Sequence, residues 1–227
     1  AADKDQANFA LSGVRLTEEW VAAASSSTLA VAWAQGLVES PVTIPAGLFS
    51  DLTGACTFAI APNNDALYIY GEDEIERWSL PISYEWPDSF LANMLVPARA
   101  QPGRIAVGVD PVELATLCRQ AAVVAEGSAI TFVMTVGPKG IRLEGSNPTA
   151  AGSGTFAGGV GVEAGDVAAE VTVGINTAFL LAVCEVVSAA PAKGHCLSVT
   201  GPTEPVIMWG PDAPIVVEAL TMPSHMD

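Results

Sequence analysis

Cysteine and histidine are the residues in this sequence best suited to metal binding or nucleophilic chemistry, and their spacing favours neither. Each of the four cysteines lies in an apolar stretch, and no two form a Cys-x-x-Cys pair: Cys56, Cys118, Cys184 and Cys196. This pattern predicts four buried thiols in a reducing compartment. The alternative is a metal site formed by these cysteines with His195 or His225. Residues distant in sequence would then have to meet in the fold, and their spacing does not indicate that they do.

Three further patterns could indicate catalysis or ligand binding. The acidic residues within 72–76 lack the spacing of a calcium loop and favour a solvated turn. The serine run 25–27 has no histidine placed to activate a nucleophile, so it favours a tight turn or a bulge. The glycine-rich stretch 152–161 has no Lys-Ser/Thr and no helix after it, unlike a phosphate-binding loop. We therefore predict no catalytic centre, no metal and no cofactor, and an enzyme that uses the acidic turns is the weakest hypothesis.

Composition limits the partners that the chain can have. The chain has 227 residues, enough for two domains, and 50% of them are hydrophobic. Its net charge is -16, from 25 acidic and 9 basic residues, so it repels polyanions on average and a nucleic-acid-binding patch must be local. No apolar run reaches the ~20 residues of a transmembrane helix, and the first residues do not form a signal peptide. These features predict a cytoplasmic protein with no membrane partner.

Two strand–helix units organise the rest of the sequence. In the unit at 170–190, Val171, Val173 and Ile175 alternate as in a half-buried strand, and Asn176 can cap the helix that follows. The stretch 42–52 has the same order, a Val-Thr-aliphatic strand followed by a short helix. Each unit lies after a predicted hairpin and before three predicted strands, so the chain contains an internal repeat of domain size.

The second half adds a strand and a helix before its hairpin. Asp110 and Pro111 supply the cap and the first residue of this helix, which we predict to reach 126. The glycine- and alanine-rich stretch 149–169 favours a long loop with a weak strand.

Residues 87–104 are rich in proline and alanine, which favours a connection between domains. We predict an α+β fold of two similar domains, 1–92 and 93–227. The first of them lacks the opening strand and helix of the second.

Several short motifs, in this order, resemble the bacterial-type DNA sliding clamp, the beta subunit of DNA polymerase III. The resemblance covers its middle and C-terminal domains. In the first half the motifs are Leu11-Ser12-Gly13, Leu29-Ala30-Val31, Val42-Thr43-Ile44-Pro45 and Trp86-Pro87-Asp88. In the second half they are the stretches 141–148, 173–176, 180–183 and 220–224.

The resemblance implies a DNA-clamp fold in a ring of six similar domains, with antiparallel sheets outside and helices around a central hole. Duplex DNA would pass through without sequence readout. The protein would be a nucleoid-associated processivity factor with no catalytic activity. Two domains per chain imply three chains per ring, whereas three domains imply two. The alternative is a clamp-fold scaffold or decoy that binds peptides without encircling DNA.

The resemblance also implies a cleft that binds short peptide motifs of the replicative DNA polymerase and the clamp loader. Carried over by position, ten residues line this cleft: Leu11, Thr28, Leu29, Pro87, Met94, Val206, Leu220, Thr221, Met222 and Pro223. Apolar strand residues of this kind also fit an ordinary core. Two departures touch the cleft, because 25–28 replaces the family's Asp-Gly-His-Arg and 224–227 replaces a basic, apolar ending.

The helices that the resemblance turns toward DNA, at about 46–53, 112–126 and 177–190, are poor in basic residues. In the family they carry lysine and arginine, which supply non-specific affinity for phosphate. Here the candidate DNA-facing cations are Arg119 and, just beyond the last helix, Lys193. A solvated helix residue is the alternative interpretation of Arg119. Four acidic residues lie in the same helices: Asp51, Glu113, Glu126 and Glu185.

Overall fold

The computed structural model describes residues 13–36, 38–49, 56–60, 66–71, 76–79, 86–89, 91–100, 102, 104–125, 131–149, 152–162, 169–190, 194–210, 216–221 and 223. The chain forms two compact units, Ala1–Asp88 and Ser89–Asp227. The sequence pattern places the domain boundary slightly later, between 92 and 93. None of the described helices is both long enough and apolar enough to cross a bilayer.

Within its described residues, the first unit contains two antiparallel sheets. Four strands form one of them, in the order β4-β1-β2-β3: Gly13–Leu16 (β1), Trp20–Ala24 (β2), Thr28–Trp33 (β3) and Val42–Pro45 (β4). Three strands form the other, in chain order: Cys56–Ile60 (β5), Leu67–Gly71 (β6) and Glu76–Ser79 (β7). A 3-10 turn, Ala46–Phe49, follows β4 directly. The rest of the helix predicted at 46–53 lies outside the described residues.

The core of the first unit joins strands of both sheets. Val42 and Ile44 alternate along β4 and are buried together with Leu16 of β1 and Ile69 of β6. Phe49 of the 3-10 turn packs against this cluster. The turn is therefore held by apolar contact, as the strand–helix pattern predicts.

The described part of the second unit contains three α-helices and eight strands. The helices are Val96–Ala100 (α1), Pro111–Ala125 (α2) and Thr177–Ser188 (α3). The first four strands are Ile105–Gly108 (β8), Thr131–Gly137 (β9), Gly140–Thr149 (β10) and Gly152–Val160 (β11). The others are Val171–Asn176 (β12), Cys196–Val199 (β13), Val206–Trp209 (β14) and Val216–Thr221 (β15).

These strands form two antiparallel sheets, in the orders β11-β10-β9-β12 and β8-β13-β14-β15. Helix α2 packs on α3 and on β10 and β11, and α3 packs on β12, β14 and β15. The helix pair thus contacts both sheets of this unit.

Strand order shows that the two units are similar. The first sheet of each has the same arrangement, β3-β2-β1-β4 in one unit and β11-β10-β9-β12 in the other. The trios β5-β6-β7 and β13-β14-β15 also correspond, and β8 extends the second trio. The predicted α+β fold of two similar domains is confirmed. Any counterpart of β8 and α2 in the first unit would precede β1, outside the described residues.

The stretch 149–169, predicted as a long loop with a weak strand, contains more strand than expected, because β11 pairs with β10 at nine positions. Its glycines serve close packing. A Cβ at Gly158 would lie 2.7 Å from Leu117 Cδ1, and one at Gly154 would lie 3.0 Å from Val124 Cγ1, both on α2. Composition suggested a loop because glycine marks both flexible loops and strands that another element approaches closely.

The connection predicted at 87–104 is also helical in part. A π-helical turn, Leu91–Leu95, runs into α1. Leu91, Leu95 and Ala98 are buried, a spacing of four and three residues that places them on one helix face. The proline and alanine content concealed this apolar stripe.

Candidate functional site

Helix α2 is one of the two complete helices that the clamp resemblance turns toward DNA. Its start is fixed by Asp110, whose Oδ1 accepts hydrogen bonds from the backbone N–H of Val112 at 2.7 Å and of Glu113 at 3.4 Å. Pro111 occupies the first helical position, where its missing N–H has no partner to lose. Its buried residues recur at helical spacing: Leu114, Leu117, Cys118 and Ala121. The predicted cap and apolar face are both present.

Helix α3 is the other. The Asn176 Oδ1 accepts a hydrogen bond from the N–H of Ala178 at 2.9 Å, which confirms the predicted cap. The buried side is again at helical spacing: Leu180, Val183, Cys184 and Val187. The helix ends at Ser188, two residues before the predicted end. Both helices are therefore anchored at their starts and along one face.

Two thiols meet where α2 and α3 pack together. Cys118 and Cys184 are both 0% exposed and unoxidised. A hydrogen bond with the Cys118 thiol, together with burial, raises the pKa of the Cys184 thiol far above its ordinary value of 9.0. This arrangement confirms the predicted burial for these two cysteines, whereas Cys196 is half-buried. In the described part of the chain, no cluster of three metal-ligating side chains occurs.

The exposed face of the helix pair carries little charge. Within the two helices the charged residues are Glu113, Arg119 and Glu185. Arg119 Nη2 lies 2.9 Å from Glu185 Oε1, in an ion pair that bridges α2 and α3. The second candidate cation, Lys193, lies outside the described residues. The exposed residues within three positions of Arg119 or Glu185 are uncharged: Thr116, Gln120, Ala122 and Ser188.

In the first unit, the predicted peptide-cleft residues Thr28 and Leu29 begin β3. Leu29 is buried, and the Thr28 hydroxyl lies 2.7 Å from the Ser25 hydroxyl. The Ser25 Oγ also accepts hydrogen bonds from the N–H of Ser27 and of Thr28. The serine run is thus a turn held by its own hydroxyls, the structural interpretation favoured from the sequence.

Pro87, also predicted to line the cleft, lies in a segment that is tied to the sheet. Trp86 before it is 3% exposed and packs on Trp20, with ring centroids 5.9 Å apart. Asp88 after it accepts two hydrogen bonds from the Arg15 guanidinium, at 3.3 Å from Nε and 3.1 Å from Nη2. Arg15 Nη1 also donates to the Thr43 hydroxyl at 3.3 Å. The sequence motifs included 86–88 but not Arg15. The one signal that could have indicated Arg15 is the position of a charged residue within a predicted strand.

In the second unit, the predicted cleft residues occupy different settings. Val206 and Thr221 are paired in register between β14 and β15, and both are fully buried. Leu220 pairs with Ile207 in the same ladder. Met94 is half-buried within the π-helical turn, and Pro223 is half-buried after β15. The two remaining predicted residues, Leu11 and Met222, lie outside the described residues.

Arg104 is another basic residue of this unit whose side chain is held by several contacts, and the sequence motifs did not include it. Its guanidinium lies 4.6 Å from the centroid of the Trp209 ring, a cation–π contact. It also donates to the Ser198 hydroxyl and, at 3.2 Å, to the carbonyl of Arg99. These contacts tie the end of α1 to β13 and β14, so we assign Arg104 a structural role.

Comparison with known proteins identifies the fold. No protein-family model and no curated protein sequence matches the chain. Among solved structures, the DNA polymerase beta subunit of Streptococcus pyogenes aligns over 100% of the chain with TM-score 0.80 and 14% identity. The sliding clamp of Bacillus subtilis aligns over 100% with TM-score 0.75 and 17% identity. This chain has the DNA sliding-clamp fold.

The clamp fold predicted from the sequence motifs is therefore confirmed. A third clamp, the DNA polymerase III beta subunit of Thermotoga maritima, gives TM-score 0.69 at 18% identity. The chain covers 61%, 60% and 61% of the lengths of these three clamps. At such identities the similarity concerns the fold, and what the sites do must be argued from their own residues.

Proposed function

We propose that this chain is part of a DNA sliding clamp, a non-enzymatic processivity factor that encircles duplex DNA as a ring in the cytoplasm. The observation that carries this proposal is the alignment of its whole length with three clamps at TM-scores of 0.69 to 0.80. The α2–α3 pair would face the duplex. The one arginine of the pair is already bound to a carboxylate, which suits passage of DNA without sequence readout.

Ring formation requires surfaces that associate, and the second unit has two candidates side by side. Strand β11 is the outer strand of its described sheet and carries no charged residue, whereas natural edge strands are commonly protected by charge. Val123, near the end of α2, is 71% exposed. The neighbouring Val124 packs over Gly154 of β11. An uncharged edge strand, with an exposed valine in the helix that packs on it, favours a covered interface.

The proposed clamp also binds linear peptide motifs of the replicative polymerase and the clamp loader. The residues predicted for this task include buried ones, such as Leu29, Val206 and Thr221, and half-buried ones, such as Pro87 and Met94. The half-buried residues offer apolar surface for peptide anchors. Titration of a labelled clamp-binding peptide tests this part. Loss of binding in Met222→Glu is expected, and unchanged binding would remove Met222 from the site.

Retention on DNA of different topology tests encirclement. The chain is incubated with a nicked circular plasmid, or with the same plasmid made linear, and then passed through a gel-filtration column at high salt. A ring stays with the circle and slides off the linear ends. Equal loss from both would contradict encirclement. Fluorescent fusion protein concentrated on the nucleoid would agree with the proposed location.

The alternative function is a clamp-fold scaffold or decoy that binds peptides but does not encircle DNA. The net charge of -16 and the ion-paired Arg119 favour it. Under this alternative the protein binds the peptide, stays monomeric and is not retained on circular plasmid.

A further inference from the structure

Arg119 is the one basic residue in α2 and α3, and it is already bound to a carboxylate. Its Nη2 lies 2.9 Å from Glu185 Oε1. The two residues are 66 positions apart in sequence, so the contact depends on how the helices pack. Both side chains are 55% exposed, which leaves the pair open to anything that approaches this face.

The backbone positions beneath this pair are fixed. Asp110 caps α2, Asn176 caps α3, and the buried thiols of Cys118 and Cys184 lie directly before Arg119 and Glu185. Glu185 therefore stays within reach of Arg119 while the helices remain packed. A phosphate that binds Arg119 in place of Glu185 leaves the Glu185 carboxylate unpaired. That carboxylate then lies close to the negative charge of the phosphate.

We propose that Glu185 determines how strongly this surface contacts DNA, by keeping Arg119 neutralised. This inference rests on the proposed function, in which α2 and α3 face the duplex. Each cation that neutralises a phosphate steepens the dependence of affinity on salt by about 0.9 in the slope of log K against log salt. Because Arg119 is paired, the wild-type face contributes little to that slope. Retention then depends on the closed ring, and the duplex slides with little phosphate contact.

The experiment uses a short linear duplex, which can bind the surface but cannot be held by topology. Affinity is measured by fluorescence anisotropy over a range of salt concentrations for Glu185→Gln and for a matched control, Glu113→Gln. Both variants remove one exposed carboxylate from the helix pair, but only Glu185→Gln frees Arg119. Thermal denaturation confirms that each variant is folded, and Glu185→Ala serves as a second variant with no side-chain amide.

Glu185→Gln is expected to bind the duplex about three- to tenfold more tightly than wild type at low salt, with a slope steeper by about 0.9. Glu113→Gln should change affinity by less than about twofold and leave the slope unchanged. Adding Arg119→Gln to Glu185→Gln should restore wild-type behaviour.

Equal affinity and slope for Glu185→Gln and Glu113→Gln would overturn the proposal, and so would undetectable binding by every variant. Failure of the proposed function has a different signature, because it appears as loss of wild-type protein from circular plasmid.

Discussion

At the scale of single residues, the Cys184 thiol makes folding sensitive to alkaline pH. Its pKa is raised in the folded protein, first by the hydrogen bond with Cys118 and then by burial. The folded thiol keeps its proton where the unfolded thiol, with a pKa of 9.0, loses it. The contribution to stability is complete well below pH 9 and declines as the pH rises through 9, by about 1.4 kcal/mol at pH 10.

Urea denaturation between pH 7 and pH 10 measures this decline. Cys184→Ala should be less stable throughout, because it leaves a cavity, but should lose less free energy of unfolding as pH rises. Val123→Ala, at an exposed position that does not titrate, should keep the wild-type pH dependence. An identical decline in wild type and Cys184→Ala would contradict the assignment.

Arg15 is the second residue whose effect can be predicted. It is 17% exposed and binds both Asp88 and Thr43, so it fixes the segment that contains Pro87. Arg15→Met should lower the free energy of unfolding by about 1 kcal/mol, since charge-assisted bidentate pairs exceed exposed ion pairs in strength. It should also raise acrylamide quenching of tryptophan fluorescence, because the packing of Trp86 on Trp20 loosens and exposes both rings to the quencher.

The matched control is Arg142→Met. Arg142 makes a single 3.5 Å contact with Glu170, and both side chains are about half exposed. This substitution should change stability by less than about 0.5 kcal/mol and leave quenching unchanged. Equal effects of the two substitutions would show that Arg15 does not position 86–88.

At the scale of elements, local signals predicted what local chemistry controls. Asp110, Pro111 and Asn176 marked the starts of α2 and α3, because caps act on adjacent backbone groups. The twin strand–helix units predicted that the two halves share an order of elements along the chain, because hydrophobic periodicity is also a local signal. Contacts between residues distant in sequence could not be predicted from spacing. They include the pairing of β11 with β10, the Arg119–Glu185 ion pair and the Arg15–Asp88 ion pair.

The glycines of β10 and β11 show how packing overrides composition, and they give a direct test. A Cβ at Gly145 would lie 2.5 Å from Phe132, whose ring is fully buried. Gly145→Ala should therefore destabilise the protein by about 1 to 3 kcal/mol, the usual cost of overpacking. Gly161→Ala is the control, since a Cβ there meets nothing within 4 Å. Equal midpoints in urea for the two variants would contradict this packing.

At the scale of the whole molecule, the net charge disfavours DNA binding, whereas a closed ring would favour retention on DNA. A chain of net charge -16 is repelled by DNA, and its candidate DNA-facing helices add no free cation. The clamp fold resolves this conflict if retention comes from closure rather than attraction. The proposed function then depends on self-association. The sequence did not identify β11 as an edge strand, because the glycine content of 149–169 favoured a long loop with only a weak strand.

Val123→Glu tests that surface. Val123 is 71% exposed and precedes Val124, which packs over Gly154 of β11. A carboxylate at this position should block association through this surface, because burying an unpaired charge is strongly unfavourable. Sedimentation velocity should show a smaller species, and retention on circular plasmid should fall in parallel. Val96→Glu alters a valine of similar exposure, 56%, in α1 and should leave both readouts unchanged. A wild-type trimer would indicate rings built from two-unit chains, whereas a Val123→Glu variant that still forms rings would move the interface elsewhere.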